Sequence, residues 1–542
     1  MAPSTLDLFM LTFNCAKNFI NPSVFASHLH GALSQNATGL PDLVVFSLQE
    51  VAPLSYAFIG SYFLDPYYSR FGEALNLASA RVLATAEGDD DVDGGGDGHA
   101  PVSTPNGSPP YTLVRAKNVG MTALLMYARD PTSIRKVEEA ECGFGAADMG
   151  NKGAVGLRVT WSGGGHQDGA GPAKTTELTF VAAHLAAMEW NLKKRNANWR
   201  SIVSGLTFAN PRTILPDLPR INRAAAATPD RSGAGDTAPP APRLPTGDSP
   251  DPSEEDEPSS DNDNDQDTHP LLLPNQEQEP SLSPTDLAAL QSISIYKPTT
   301  HLFIAGDLNY RISATTPPPN AAFPSFDPSS ENYHPTFLPR DQLTRERLAN
   351  RTLHGLSEAA ISFGPTYKFD VLPAADNEDN EEEGEEEVVP WKFAPHRWPG
   401  WCDRVLYLDV PSWVRTTTKQ NSKKVEVKVK VYDALPVVRT SDHRAVFFRA
   451  SVPVLGEEEM MPPSSLEEAE TEDDGAAAVD PRVRMPVPVD VHAWERRAAA
   501  RRKEMVVGWT AFVWSTREGA VLLATVLMAA VGSWWLWRVW GA

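Results

Sequence analysis

Polar residues of the types that bind metal ions and phosphate stand at the ends of apolar runs in this sequence. Asn14, Glu50, His184 and Asp307 each follow such a run, and Ser441–His443 precedes another. Each of them alone would be interpreted as a cap or a turn residue. Because ligands of sheet proteins gather at the carboxyl ends of strands, five such stretches together favour one shared polar pocket.

The residue types in this pocket suit metal-assisted hydrolysis of a phosphate ester. Mg²⁺ prefers oxygen ligands and retains several waters, so one or two carboxylates and a substrate phosphate are sufficient; Glu50 is the best candidate ligand, with Asn14 beside it. Asp307 could orient or deprotonate the attacking water. Donors for the negative charge that develops on the phosphate oxygens are available in His443, His184 and Asn309.

Nine short apolar runs, which would position these residues, are predicted to be β-strands. Several are apolar on both faces, which indicates strands that are covered on both sides. Helices are predicted over Ala186–Leu206 and Arg340–Arg351, so the fold class is α/β with stacked sheets and outer helices. The predicted strands are Leu6–Phe13, Leu43–Leu48, Thr122–Tyr127, Ala154–Thr160, Leu178–Ala182, His301–Ala305, Val405–Leu408, Val425–Tyr432 and Ala445–Ala450.

The formal net charge of −22 over 542 residues is unevenly distributed. Together 33 acidic residues, and no Lys or Arg, occupy the four windows Glu87–Gly98, Asp251–Pro270, Asp376–Glu387 and Glu457–Asp474. The rest of the chain is therefore net positive, which is compatible with an anionic substrate or membrane surface and equally with simple solubility. The three cysteines form no disulfide framework or paired metal-binding pattern, which favours a reducing compartment.

Residues 1–452 are predicted to form one large domain with insertions at 86–109, 209–295 and 374–389. These insertions are rich in Pro, Gly, Ser and acidic residues. They cannot bury enough apolar surface to offset their ordering entropy, so we predict that they are disordered. Residues 453–505 are predicted to be an acidic, Pro-rich and then basic linker, and 506–542 a C-terminal membrane anchor.

The pocket residues and their neighbours resemble the inositol polyphosphate 5-phosphatase family, part of the endonuclease/exonuclease/phosphatase superfamily. The matching stretches occur in family order across the predicted domain, and the longer ones are specific in combination. They include Thr12–Asn14, Leu48–Glu50, Met149–Val155, His184–Ala187, Gly306–Arg311, Pro365–Asp370, Trp401–Arg404 and Ser441–His443.

The resemblance implies a four-layer α/β/β/α sandwich of two packed sheets with outer helices. It implies that Glu50 and Asn14 hold Mg²⁺, with Asp442 in the metal environment. Asp307 would activate water for attack on the 5-phosphate. The other implied catalytic residues are Asn309 and His184 at the scissile phosphate, and Asp403, which would orient His443.

The resemblance also implies which residues contact the substrate. These are Lys152 and Arg404, together with Tyr367, Lys368 and Arg397, which match family residues at the 4-phosphate of the inositol ring. The family often has a lysine where this chain has Pro395, and Lys392 could substitute for it. Further departures are Ala182, Ala183 and Met188. An alternative for Asp403 is an ordinary ion pair with Arg404.

The C-terminal run Gly519–Trp537 contains 19 uncharged, mainly apolar residues. As a helix it would extend roughly 28 Å, close to the thickness of a bilayer core. Basic residues cluster upstream of it and only Arg538 follows, so the preceding domain would face the cytosol. A buried core helix, or an interfacial helix that includes Met505–Trp514, is the alternative. Within the family, such a tail resembles the tail-anchored yeast member of the endoplasmic reticulum.

The function implied by the resemblance is Mg²⁺-dependent removal of the 5-phosphate, with phosphatidylinositol 4,5-bisphosphate as the favoured substrate and phosphatidylinositol 4-phosphate as the product. A soluble inositol polyphosphate is equally compatible with the motifs, and no nucleic acid partner is expected. Two alternatives stay open: a sphingomyelinase or nuclease of the same fold, and an inactive phosphoinositide-binding tether. The sequence does not indicate an oligomeric state.

Overall fold

The computed structural model describes residues 4–37, 39–87, 109–163, 174–216, 282–373, 389–417, 425–463 and 479–540. The chain divides into a main unit, 1–214 with 288–542, and a second unit, 215–287. Most of the second unit lies outside the described residues, as do the central parts of all three predicted insertions. Their predicted disorder stays a prediction.

Two six-stranded mixed sheets form the centre of the main unit. The first has the strand order β13-β14-β1-β2-β4-β3 and the second β5-β6-β7-β8-β12-β9. The strands of the first sheet are β1 (Thr5–Asn14), β2 (Leu43–Gln49), β3 (Thr112–Val119), β4 (Thr122–Ala128), β13 (Lys428–Ala434) and β14 (Val446–Pro453). Those of the second are β5 (Ile134–Gly143), β6 (Gly153–Ser162), β7 (Thr175–His184), β8 (Thr300–Asp307), β9 (Leu356–Ser357) and β12 (Asp403–Leu408).

A small hairpin and a set of helices surround these sheets. The hairpin consists of β10 (Phe369–Val371) and β11 (Trp391–Phe393). The helices are α1 (Pro22–Ser34), α2 (Leu54–Ile59), α3 (Ser61–Glu87), α4 (Leu192–Gly205), α5 (Pro211–Ile214), α6 (Pro284–Ile293), α7 (Gln342–Leu348), α8 (Ser412–Thr417) and α9 (Glu457–Met460). Two long helices end the described chain: the penultimate helix (Ala493–Ser515) and the apolar helix (Arg517–Trp540).

The alternation of side chains along β1 explains the layered core. Leu8 and Met10 belong to the apolar cluster between the two sheets, whereas Phe9 and Leu11 belong to the cluster beneath α1 and α3. Successive side chains of a strand point to opposite faces, so a strand that is apolar throughout must be covered on both sides. A third cluster joins the second sheet to α4. The predicted α/β/β/α sandwich is confirmed.

Some elements differ from the sequence prediction. Strands β3 and β5 were not predicted, because both are edge strands whose apolar pattern is interrupted by charges. Those charges pair across the gap between the sheets: Lys117 Nζ lies 3.3 Å from Glu139 and 3.2 Å from Glu141. The helix predicted from Ala186 begins only at Leu192, since the residues after His184 form a loop. The helices α1 and α3 were also missed.

Two predicted segments contain ordered structure. The insertion predicted over 209–295 includes α6, of which Leu290 and Ile293 are buried. The segment predicted as a linker, 453–505, is ordered where the structure describes it. Arg482 is buried, and it pairs with Asp480 at 2.8 Å and donates to the carbonyl of Asp409 at 2.9 Å. The penultimate helix, which begins inside this segment, packs on α2.

Candidate active site

The carboxyl ends of two parallel strand pairs meet at one edge of the sandwich. β1 is parallel to β2 in the first sheet, and β7 is parallel to β8 in the second. This arrangement places Asn14 and Glu50 opposite His184 and Asp307, with His184 directly across from Asp307 in the strand register. Parallel strands end at the same edge, so four residues from distant parts of the chain enter one pocket.

Asp307 is the buried centre of this pocket. Its Oδ2 accepts a hydrogen bond from Asn14 Nδ2 at 3.1 Å and lies 3.4 Å from His184 Nε2 and 4.0 Å from His443 Nε2. Its Oδ1 accepts from the backbone N–H of Asn309 at 3.1 Å. Burial alone would raise the pKa of Asp307, but the neighbouring histidines and Lys152 hold it well below its usual range. Asp307 is therefore ionised at neutral pH.

His443 enters the pocket from the loop before β14, and Asp403 holds it from behind. The His443 Nδ1 atom lies 2.8 Å from Asp403 Oδ2, which also accepts from Thr366 Oγ1 at 2.8 Å. Burial would lower the pKa of His443, but the Asp403 carboxylate outweighs it and raises that pKa. The second nitrogen, Nε2, then faces Asp307 as a donor. The predicted orienting contact between Asp403 and His443 is present, and the ion pair with Arg404 is not.

Glu50, Lys17 and Lys152 form the more open side of the pocket. Glu50 lies 3.4 Å from Lys17 Nζ and 4.0 Å from Lys152 Nζ. Burial would raise the pKa of Glu50, but Lys152, His184 and Lys17 lower it to about 2. Lys152 Nζ also lies 2.7 Å from His184 Nε2, and burial together with this ammonium lowers the pKa of His184. A neutral His184 can accept from Lys152 or donate to Asp307, depending on its tautomer.

The oxygens of this pocket fit a hard divalent cation. Glu50 supplies an ionised carboxylate at the pocket opening, and the Asn14 Oδ1 oxygen receives a hydrogen bond from only the Ala16 N–H among the contacts described. Carboxylate and amide oxygens are ligands that Mg²⁺ and Ca²⁺ prefer. Asp307, Asp403 and His443 also lie close enough to share an ion, with ligand atoms within 4.8 Å of one another. The Asp403–His443 hydrogen bond already engages that group, so Glu50 and Asn14 fit a cation better.

The predicted substrate residues line the neighbouring part of the pocket. The Tyr367 ring lies 4.7 Å from the His443 ring, centroid to centroid. Lys368 Nζ lies 3.2 Å from Asp442 Oδ2, and Arg397 Nη2 lies 3.5 Å from the sulfur of Met188. Asp442 therefore faces Lys368 in this structure, and its assignment to the metal environment stays a prediction.

Known proteins share sequence similarity with this chain. The sequence profile of the endonuclease/exonuclease/phosphatase family 2 matches residues 11–449. The chain belongs to this family. It is 27% identical over 314 residues to the type II inositol polyphosphate 5-phosphatase 14 of Arabidopsis thaliana, which covers 57% of this chain and 20% of that relative. It is 31% identical over 155 residues to the phosphatidylinositol 3,4,5-trisphosphate 5-phosphatase 1 of Mus musculus, covering 28% of this chain and 11% of that relative.

A fission yeast relative and a solved structure extend the comparison. The inositol-1,4,5-trisphosphate 5-phosphatase 1 of Schizosaccharomyces pombe is 23% identical over 305 residues, or 55% of this chain and 18% of that relative. The 5-phosphatase domain of a synaptojanin, solved with inositol (1,4)-bisphosphate and a calcium ion, is 19% identical with a TM-score of 0.44, covering 87% of this chain and 94% of that domain. The chain thus spans a fifth or less of the length of these curated relatives.

Arg404, one of the predicted substrate residues, lies among buried carboxylates. Arg404 is buried and pairs with Glu358 at 2.6 Å and Asp341 at 3.0 Å. Its Nη1 also donates to the carbonyl of Trp401 at 3.3 Å. Its guanidinium is enclosed by these partners, which favours a structural role over substrate binding; the assignment to substrate binding stays a prediction. In the structural role Arg404 joins β12 to α7.

Replacing Arg404 with methionine should lower the free energy of unfolding by about 3–5 kcal/mol, because Asp341 and Glu358 would be left as unpaired buried carboxylates. Urea unfolding measures this loss. The matched control is Arg115→Met, which breaks an arginine–glutamate pair with both side chains partly exposed and leaves Glu139 its partner Lys117, and it should change stability little. If the Arg404→Met variant has normal stability and a raised KM, Arg404 would instead be a substrate-binding residue.

Three residues that the sequence did not assign also belong to the pocket. Arg311 is buried, donates to the side-chain oxygen of Asn309, and lies over the Tyr367 ring at 4.2 Å. Thr366 hydrogen-bonds to Asp403, and Lys17 pairs with Glu50. Arg311 and Thr366 lie inside the matching stretches Gly306–Arg311 and Pro365–Asp370, so those motifs held the signal. Lys17 follows Asn14 closely in sequence.

Proposed function

We propose that this chain is a Mg²⁺-dependent phosphatase that removes the 5-phosphate from a phosphoinositide or an inositol polyphosphate. The observation that carries this proposal is the environment of Asp307, an ionised carboxylate held between Asn14, His184 and the N–H of Asn309. Membership of the endonuclease/exonuclease/phosphatase family 2 and the 5-phosphatase activity for which the relatives are named support the same reaction.

The residues of the pocket divide the work of hydrolysis among them. Asp307 holds and orients a water for attack on phosphorus, in line with the departing inositol oxygen. His443, kept protonated by Asp403, donates from Nε2 to the charge that develops during transfer. Lys152, whose Nζ lies 4.0 Å from Glu50, adds a positive charge to the pocket. A divalent cation held by Glu50 and Asn14 would polarise the scissile phosphate.

A 4-phosphate would bind next to the reacting group. Tyr367 contacts the His443 ring, Lys368 pairs with Asp442 beside it, and Arg397 contacts Met188. Lys392 is exposed on β11, two strand positions from the loop that contains Pro395, and could supply the family lysine missing there. We therefore propose phosphatidylinositol 4,5-bisphosphate as the substrate and phosphatidylinositol 4-phosphate as the product.

Replacing Lys368 with alanine should lower kcat/KM for a 4,5-bisphosphorylated substrate far more than for one without the 4-phosphate. A charge-assisted hydrogen bond contributes on the order of 1.5–3 kcal/mol, or roughly 10- to 150-fold. Phosphate release from the two substrates measures the ratio, with Lys428→Ala as the matched surface-lysine control. Equal losses on both substrates would show that Lys368 only supports Asp442.

The apolar helix would place this site at a membrane. It spans 24 residues with a mean hydropathy of 1.8 in its most apolar window, and 6% of that window is buried. Such exposure is unfavourable for a core helix in water and favours the membrane interpretation. We propose that it anchors the chain in the endoplasmic reticulum with the pocket facing the cytosol.

The purified full chain, incubated with Mg²⁺ and a panel of inositol lipids and soluble inositol phosphates, tests the proposed function. Release of inorganic phosphate from the 5-position, abolished by a chelator and restored by Mg²⁺, is the expected result. Phosphocholine release from sphingomyelin or nucleotide release from DNA would overturn it in favour of another chemistry of this fold. Tight lipid binding without phosphate release would identify an inactive tether.

A further inference from the structure

The penultimate helix contacts the core at several points along its length. Trp494 Nε1 donates to Thr207 Oγ1 at 2.8 Å near the start of this helix. Arg501 Nη1 donates to the carbonyl of Phe58 in α2 at 2.7 Å. Further along, Gly508 lies so close to α2 that a Cβ there would be 2.9 Å from the Cβ of Phe58. The helix is therefore part of the folded unit.

Glu504 is the buried centre of this contact. Its carboxylate receives Arg497 Nη1 at 2.5 Å and Nη2 at 2.8 Å, and Arg501 Nη1 lies 3.4 Å away. Its Oε1 also accepts the backbone N–H of Gly150 at 2.7 Å. A buried carboxylate is costly unless it is paired and hydrogen-bonded, so these partners define one position for Glu504.

Gly150 belongs to the loop between β5 and β6, which carries Lys152 into the pocket. On its other side Gly150 is packed against the turn between β3 and β4, where a Cβ would lie 2.9 Å from the Gly120 nitrogen. The loop closes with a hydrogen bond from Phe144 N–H to the Lys152 carbonyl at 3.0 Å. Glu504 thus fixes the loop two residues before the lysine that reaches His184 and Glu50.

We infer that Glu504 is a positioning residue of the pocket: it holds the Gly150 N–H and so keeps the Lys152 ammonium against His184 and Glu50. The role of Lys152 in the reaction rests on the proposed function. The contact by which Glu504 holds the Lys152 loop does not. The penultimate helix would therefore support the active site, although Glu504 itself touches no reacting atom.

The test compares the full chain in detergent with its variants Glu504→Ala and Glu504→Gln. The matched control is Glu495→Ala on the same helix, where the glutamate is exposed and pairs with Arg212 at 2.8 Å. Amide hydrogen exchange over 144–153, thermal unfolding, and kcat and KM on a soluble inositol trisphosphate are measured together.

Glu504→Ala should speed exchange in this loop and lower kcat by up to about 10²-fold, because small displacements of a positioning group have effects of that size. Glu504→Gln keeps an oxygen for the Gly150 N–H and should recover part of both quantities, while Glu495→Ala should match the unaltered chain. Unchanged loop exchange and unchanged kcat in the folded Glu504→Ala variant would overturn the inference. A loss that tracks global unfolding in both Glu504 variants would also overturn it. Lack of phosphate release by the unaltered chain would refute the proposed function, and loop exchange would still decide the role of Glu504.

Discussion

Replacing Asp307 with asparagine should lower kcat for phosphate release by roughly 10²- to 10⁴-fold. The two side chains have nearly the same shape, so the change removes the charge with little change in volume. The amide would either present a donor to Asn14 Nδ2, which now donates to Oδ2, or turn its oxygen away from the Asn309 N–H. In both orientations the negative charge that we propose holds the attacking water is lost.

The control for this experiment is Asp327→Asn, which changes an exposed aspartate outside the pocket. Thermal unfolding of both variants shows whether the fold is retained. A folded Asp307→Asn protein with the rate of the unaltered chain would refute the assignment of Asp307 to water activation, and with it the mechanism proposed for this pocket.

Ending the chain after Ser515 should release the protein from membranes and leave its activity on a soluble inositol phosphate unchanged. This cut removes the apolar helix, of which only Gly519 is buried. The full chain should stay with membranes in high salt and carbonate, because an inserted apolar helix, unlike a basic patch, is not released by charge screening. Sedimentation of membranes and phosphate release measure the two effects.

Ending the chain after Arg502 is the informative comparison. The interpretation of 453–505 as a linker predicts no loss of activity on a soluble substrate from this cut. The structure leads to the opposite expectation, since the cut also removes Glu504 and its hydrogen bond to the Gly150 N–H. Equal activity of the two truncated chains would show that the penultimate helix docks without supporting the pocket. Loss of activity in both would show that the apolar helix packs on the core.

The centre of the protein's pocket could be predicted from sequence because its residues are marked locally. Asn14, Glu50, His184 and Asp307 stand at or just after the ends of apolar runs, and the edge at which parallel strands end brings such residues together. The layered fold follows for a similar reason: strands that are apolar on both faces must be covered on both sides. The edge strands β3 and β5 were not predicted, because their exposure on one side allows charged residues to interrupt the apolar pattern.

What only the tertiary structure decided are the partners of buried charges. In the sequence, Arg404 cannot be told from any other arginine beside a catalytic motif. Its enclosure depends on Asp341 and Glu358, each tens of residues away. In the sequence, Glu504 is one more charged residue in a basic linker. Only the fold brings it to Gly150, 354 positions earlier in the chain. Apolar periodicity and local motifs specify strands and their ends, but a charge is buried or exposed according to which distant groups the fold brings to it.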